Sequence, residues 1–453
     1  MNLKVELPKK VSEIILEFEK AGYEIYIVGG AVRDILMGRQ IYDWDFTTNA
    51  TPDEILKLFP NGFYDNEFGT VGIEPKIKGE RPYEITTFRK EEGYSDTRHP
   101  DKIVWGKTLA DDLSRREATI SALALKTTGK KGEFELIDYY NGKCDLDKKI
   151  FRAVGDPNER YAEDALRMLR AIRISAQLGL KIEEKTYQGI TNNALLINKI
   201  AKERVKEELF KILASPFPYE GVLLLRNSGL LEQILPELEK CFGVEQRSPG
   251  RHHIYNVGTH SLMSLKECKS PDPIVRFATL IHDIGKPQTY KKLPSGVITF
   301  YNHELVSTKI AENIADRLRF SNKEKDKLTT LVRWHQFSVD EKQTDSAIRR
   351  FIKNVGKENI ADMLSLRVGD RLGGGARETS WRLEEYKKRL IEVQKQPFSI
   401  KDLKINGLDV MKTLNIKSGP KVGEILNSIF EEVVTKKISN KRKALLTKLK
   451  DFS

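Results

Sequence analysis

Up to about residue 150, short apolar runs whose polar partners fall at every second position alternate with stretches of helical period. EIYIVGG, YDWDFTT, TVGIEPKI, PYEITTFR and FELIDYY read as strands. The alternation predicts a small α/β head over 1–150. The period then lengthens from two to between three and four, as at Leu166, Leu169, Ile172 and Ala176, and RVKEELFKILASPF and GVLLLRNSGLLEQIL continue it. Everything after the head is therefore expected to be helical. Turn-forming residues at SPGRHH (248–253) and a proline in QKQPFS (394–399) suggest breaks. They divide the remainder into a neck and body over 151–250, a histidine-rich unit over 251–393 and a tail over 394–453. The expected class is α+β, with no fixed-period repeat.

Composition narrows the partners. A chain of 453 residues should hold several domains at ~100–200 residues each. Its 77 Lys and Arg against 65 Asp and Glu give a net charge of +12, interleaved along the chain, which favours a folded protein that handles polyanions. Cys144, Cys241 and Cys268 lie far apart without a C-x-x-C, which argues against a disulfide framework or zinc ribbon and suits a reducing, cytoplasmic setting. MNLKVELPKK has no apolar signal core, and no run approaches the ~18 apolar residues of a membrane span, so no membrane partner is expected.

The head carries candidate chemistry. Gly29 and Gly30 close an apolar strand and open a short helix, so bare backbone can approach a phosphate there. Asp43 and Asp45, two apart in a strand, would share a face while Trp44 takes the other. Two adjacent acids repel unless a cation lies between them, and paired Mg²⁺ ions held this way clamp the oxygens of a phosphoryl displacement. In PYEITTFR the alternation puts Glu84, Thr86 and Phe88 on one face and Tyr83, Ile85 and Thr87 on the other, so Glu84 offers a third carboxylate.

Strand-G-G-helix, D-x-D and a later strand acid together resemble the DNA polymerase beta superfamily. GGAVRD, DWDFTT, YEITTFR, DDLSRREATISALAL, YAEDALRMLR and GLDVMKTLNIKSGPKVGEIL, in this order, resemble the bacterial-type tRNA nucleotidyltransferases, the CCA-adding enzymes and their poly(A) polymerase relatives. The resemblance implies that Asp43, Asp45 and Glu84 are catalytic and hold Mg²⁺. It places Gly29, Gly30 and Arg33 by the triphosphate, with Asp34 orienting Arg33. It also assigns nucleotide contacts to Arg115, Arg116, Glu163, Asp164, Arg167 and Arg170. EEGYSDTRHP (91–100) is similar to the family's flexible loop. After the paired arginines, Glu117, Ala118 and Ser121 depart from the family's R-R-D-F-T-x-N-A, which is expected to alter nucleotide affinity.

Base choice can be read from donors and acceptors. On one continuous helix Glu163, Arg167 and Asp164 would project at roughly 0°, 40° and 100°. Arg167 only donates and Asp164 only accepts, a pair that matches the Watson–Crick edges of cytosine and adenine and opposes those of uracil and guanine. Glu163 would orient Arg167.

Six of the 7 histidines fall between 252 and 335. His260, the pair His282–Asp283, His303, His335 and Asp370 look like the ligands of an HD-type metal-dependent phosphohydrolase, and such a set suits a divalent transition metal such as Ni²⁺ or Mn²⁺. Blocked RNA ends, 2′,3′-cyclic or terminal phosphates, are the expected substrates. His252 and His253 are expected to be structural. In the tail, the two glycines of IKSGPKVGEIL before a helix, with the basic KKISNKRKALLTKLK, are expected to meet tRNA phosphates. The resemblance implies template-independent addition of CCA to tRNA from CTP and ATP. A-only or poly(A) addition, and a chain whose main activity is the HD phosphohydrolase, remain open alternatives.

Overall fold

The computed structural model describes residues 1–66, 69–75, 81–92, 102–246, 254–340, 342–394, 400–434 and 437–452. The break at 248–253, all but the first residue of the break at 394–399, most of the 91–100 loop, His252 and His253 lie outside the described residues.

The head runs β1 (Asn2–Lys4), α1 (Lys9–Lys20), β2 (Ile25–Val28), α2 (Gly30–Leu36), β3 (Asp45–Thr48), α3 (Pro52–Leu58), β4 (Phe63–Asn66), β5 (Thr70–Ile73), β6 (Tyr83–Thr87), β7 (Arg89–Glu92), β8 (Lys102–Trp105), α4 (Leu109–Ser114), β9 (Leu123–Thr127), β10 (Glu133–Asp138) and α5 (Gly142–Asp147). Eight strands form one sheet in the order β1-β10-β9-β2-β3-β6-β5-β4, while β7 and β8 pair separately. Residues in register across strands share a face. Ile27 opposes Phe46, and Phe46 lies beside Ile85, so these pack with Val11, Ile14 and Phe18 of α1 on one face. Tyr26, Val28 and Ala124 point to the other face and pack with Leu109 and Leu113 of α4.

All five expected strands are present, with two adjustments. β3 begins at Asp45, so Asp43 and Trp44 precede the strand, although Trp44 still turns into the core. β6 ends at Thr87, and Phe88 is fully buried in the α4 cluster just beyond it; its amide donates to the Thr48 carbonyl at 2.7 Å.

Past the head, helices dominate. Leu166, Leu169, Ile172 and Ala176 are all buried on α7 (Leu166–Leu178), which follows α6 (Pro157–Glu163). One apolar cluster runs from Ala118 to Val393, so neck, body and histidine-rich unit share a core across residue 250. The tail has its own core, from Leu403 to Leu449. There Gly423 lies inside the helix Pro420–Val434 instead of in a turn before it; its missing side chain faces open space. Among the described residues no helix is long and apolar enough to cross a membrane.

Candidate functional site

The head site gathers at the C-terminal end of β2 and the N-terminal end of β3. Asp45 opposes Val28 on one side and is in register with Glu84 on the other, so the two carboxylates sit on neighbouring strands and one face. Asp43 completes the group from the preceding loop. Its Oδ2 accepts from Arg81 Nη1 at 2.6 Å, while its Oδ1 is buried with no hydrogen-bond partner. A buried carboxylate oxygen left unsatisfied is costly, and a divalent cation would satisfy it. Burial pushes the Asp45 carboxyl above the usual carboxylate range and Asp43 adds to the push, against Arg116 and Arg33. That orphaned oxygen beside Asp45 fits a cation, although among the described residues the three acids do not close into a ligand cluster.

Gly29 is needed where it stands. Its φ of 71° lies in the left-handed region, and a Cβ there would come within 2.9 Å of Arg116 Nη1 and 3.3 Å of Asp45 Oδ2. Beside it, Arg33 is held by Asp34 through Nε at 3.1 Å and Nη2 at 3.2 Å, the orienting role expected of Asp34.

Arg115 and Arg116 converge on a residue that the sequence reading did not assign. Asp112, fully buried, accepts from Arg115 Nη2 at 2.6 Å and from Arg116 Nη2 at 3.0 Å. Burial raises its carboxyl, but the two guanidiniums override that and hold it below the usual range. The signal was present: Asp112 precedes the arginines by three and four residues in a run that Thr108 and Asp111 cap as a helix. Arg81 had no such local signal.

The Glu163–Arg167 geometry needs correction. These residues are not on one helix: α6 ends at Glu163, Asp164 is extended at φ −139°, ψ 101°, and α7 begins at Leu166. The break has a cause, because Asp164 Oδ1 accepts from the Leu166 amide at 2.9 Å and so competes with helix continuation. The angular argument therefore fails, yet Arg167 and Glu163 still pair at 2.8 Å across the break, and Arg160 joins the same Glu163 oxygen at 3.0 Å. Burial raises the Asp164 carboxyl against the opposing charges of Arg170 and Arg167, which places the three groups in one neighbourhood. Arg170 in turn lies 3.6 Å from Glu117, so the head residue that departs from the family motif faces α7.

A second constellation forms in the helical body. His260 comes from the helix Val257–Glu267, His282 and Asp283 from the end of Pro273–Ile281, His303 from the start of His303–Arg317, His335 from the end of Asn322–Trp334 and Asp370 from Ile360–Gly373. Gly369 and Gly373 let the first and last of these touch, since a Cβ at Gly369 would stand 2.8 Å from the Ser264 carbonyl and one at Gly373 would collide with the Ser264 backbone. Asp283 lies at the centre. Its Oδ2 is 3.2 Å from His282 Nε2 and 3.5 Å from His260 Nε2, and its Oδ1 is 3.2 Å from His303 Nε2 and 3.7 Å from His335 Nε2. Asp370 adds Oδ1 at 3.2 Å from His260. The ligand atoms thus fall into two buried groups that share Asp283. His282, His303 and His335 each turn Nδ1 to a backbone carbonyl, of Thr279, Phe300 and Val332, at 2.7, 2.8 and 2.7 Å. That is how a metal-binding imidazole is held with Nε2 forward.

The charges agree. Burial lowers His282, but Asp283 and Asp370 raise it to about 10, and burial with the His282 charge drives His335 down to about 3. Lys286, three residues after Asp283, puts its ammonium 2.6 Å from Asp283 Oδ2. Every histidine-site residue expected from the sequence is in this cluster, and Lys286 joins them.

Known proteins match along the whole chain. Family profiles match at 25–152 (poly A polymerase head domain), 179–242 (RNA and SrmB-binding site of polymerase A) and 298–449 (tRNA nucleotidyltransferase domain 2). A CCA-adding enzyme of Pediococcus pentosaceus is 32% identical over 438 residues, covering 96% of this chain and 95% of that protein. One from Ligilactobacillus salivarius is 32% identical over 444 residues, covering 98% and 96%. Among solved structures, the Bacillus stearothermophilus CCA-adding enzyme in complex with CTP superposes with a TM-score of 0.69 at 26% identity, covering 98% of this chain and 97% of that one. With a polymerase head, Asp45 and Glu84 in register and relatives that cover 96–98% of it, the chain belongs to the CCA-adding enzyme family of tRNA nucleotidyltransferases.

Proposed function

We propose that the chain adds CCA to tRNA 3′ ends from CTP and ATP without a template, and that the cation of its head is Mg²⁺. The observation that carries this is the Asp45–Glu84 register with the orphaned Asp43 oxygen beside it. Asp43, Asp45 and Glu84 would hold the metal, and its chemistry there is activation of the tRNA 3′-hydroxyl and neutralisation of the departing pyrophosphate. Arg33 and Arg116, close to Asp45, would take the triphosphate, with the bare backbone of Gly29 and Gly30 alongside. Arg115 shares with Arg116 the buried anchor Asp112. Arg167, held by Glu163, would donate to cytosine N3 or adenine N1, and the Asp164 carboxylate would accept from the exocyclic amine. Uracil and guanine would meet donor against donor, a mismatch that can cost up to ~10⁴ in selectivity. The tail from residue 394 would grip the tRNA body through phosphates, and a tRNA substrate implies cytoplasmic work.

Incubation with Mg²⁺, CTP, ATP and tRNAs ending at position 73, 74 or 75 tests the reading. Products should stop at position 76 from each start. Products that run on with ATP alone, or starts at 73 that stay unextended, would sink it in favour of poly(A) or A-only addition.

A second reading concerns the histidine cluster: an HD-type centre for Ni²⁺ or Mn²⁺ that hydrolyses phosphate esters at RNA ends. The shared Asp283 and the three pinned imidazoles support it. Such a centre would leave a free 3′-hydroxyl for the head. Its test is metal-dependent hydrolysis of 2′,3′-cyclic AMP by the intact chain, absent from a His282→Ala, Asp283→Ala variant.

A further inference from the structure

The histidine cluster opens into a cavity of about 440 Å³, lined among others by Lys286, Tyr301, Asn302, Gln336 and Arg367. That volume lies within the ~300–1,000 Å³ range of small-ligand sites. We infer that its outer half recognises a nucleoside phosphate, with Arg367 gripping the phosphate and Tyr301 stacking on the base. The inference rests on the phosphohydrolase reading of the same cavity and names its substrate class.

Two permanent cations line the cavity, and they are unequally engaged. Lys286 is committed to Asp283 Oδ2 at 2.6 Å and to Gln246 Oε1 at 2.9 Å. Arg367 lies 5.4 Å from the Phe337 ring centroid, makes one longer polar contact, Nη1 to Asp370 Oδ2 at 3.3 Å, and its Nε is buried without a hydrogen-bond partner. Charge-assisted pairs ordinarily close to ~2.7–2.9 Å, so the guanidinium holds donor capacity in reserve. An unsatisfied buried donor costs ~1–3 kcal/mol, which an incoming phosphate oxygen would recover. Arginine's planar donors suit a phosphate better than a single ammonium does.

Tyr301 supplies the other half. It is 77% exposed at the cavity mouth, two residues before His303. Its position is fixed from both sides: Phe300 accepts from the His303 amide at 3.2 Å and faces His303 Nδ1 at 2.8 Å, and Asn302 takes the left-handed conformation at φ 60°. An aromatic ring exposed on a short, anchored turn beside a metal-ligand set is a platform for a base. The cavity then reads inward from base to phosphate to metal ligands. For a 3′-phosphate, water adds to phosphorus, the bond to the 3′-oxygen breaks and that oxygen takes a proton from the water, giving inorganic phosphate and a free 3′-hydroxyl.

The test uses the intact Mn²⁺-loaded chain, adenosine 3′-monophosphate, and glycerol phosphate as the base-free control, with equilibrium binding and hydrolysis read separately. Tyr301→Ala should weaken binding and raise KM about tenfold for the nucleotide alone, leave kcat near wild type, and be rescued by Tyr301→Phe. Arg367→Ala should weaken both compounds, with Arg367→Lys partial. Nucleotide binding at the head is common to all variants and drops out of the comparison. Equal effects of Tyr301→Ala on both compounds, or none, would overturn the inference even if hydrolysis occurs. The full binding pattern without hydrolysis would retain the recognition site and discard the phosphohydrolase reading. Failure of both compounds to bind at the cavity or be hydrolysed would discard both.

Discussion

The head and the histidine cluster each bring carboxylates together, but they are built in opposite ways. Asp43 and Asp45 are two residues apart and Glu84 neighbours Asp45 through one strand pairing in the middle of the sheet, so the ends of two strands suffice and Glu84 stays exposed. The histidine site draws on five helices over more than a hundred residues, closes around one carboxylate and is almost wholly buried. An open site can receive a tRNA end and a triphosphate together. A closed one holds its side chains rigidly and admits only what its cavity fits. The difference teaches that shared ligand chemistry does not imply shared duty, and that the two centres should fail independently.

The largest expected effect is in the head. Asp43→Asn should lower nucleotide incorporation by about 10²–10³-fold or more while tRNA binding, followed by filter retention, persists. Incorporation above about a tenth of wild type at saturating Mg²⁺ would remove Asp43 from the metal set.

Next comes the buried anchor of the arginine pair. Asp112→Ala leaves two guanidiniums without their counter-ion and should cost about 3–5 kcal/mol in urea unfolding. The folded carboxyl lies below its unfolded value, so its contribution is full above the unfolded pKa and lost as pH falls through the folded one. The penalty of the variant should therefore shrink in acid. A pH-independent penalty would mean that packing, not charge, is what Asp112 supplies.

A smaller effect is expected at base selection. Asp164→Ala should relax discrimination against UTP by about tenfold or more, whereas Arg167→Ala should weaken CTP and ATP alike. If selectivity in Asp164→Ala matches wild type, its carboxylate only caps α7.

These cases also mark what the sequence made legible. Strand alternation is local, so Asp45 and Glu84 could be assigned to strands before any coordinates, whereas Asp43 precedes its strand and the D-x-D spacing did not show that; the histidines stood out because six of the 7 cluster in one stretch. The helix break at Asp164 was not legible: E-D-A-L-R reads as helix until the Asp164 side chain is seen bonding the Leu166 amide. Arg81 reaches Asp43 across 38 residues with no periodic cue, and the unpartnered Nε of Arg367 depends on packing that no pattern encodes.

The smallest expected effect, a null, gives the most direct test. Extension of a tRNA ending at position 73 with Mg²⁺, CTP and ATP should be run on wild type, Asp45→Asn, and His282→Ala, Asp283→Ala. Wild type and the histidine-site variant should both complete CCA at rates within about twofold of each other, well inside 1 kcal/mol of barrier, and Asp45→Asn should add nothing. Extension by Asp45→Asn, or its loss from a histidine-site variant that remains folded by circular dichroism, would contradict the assignment of CCA addition to the head.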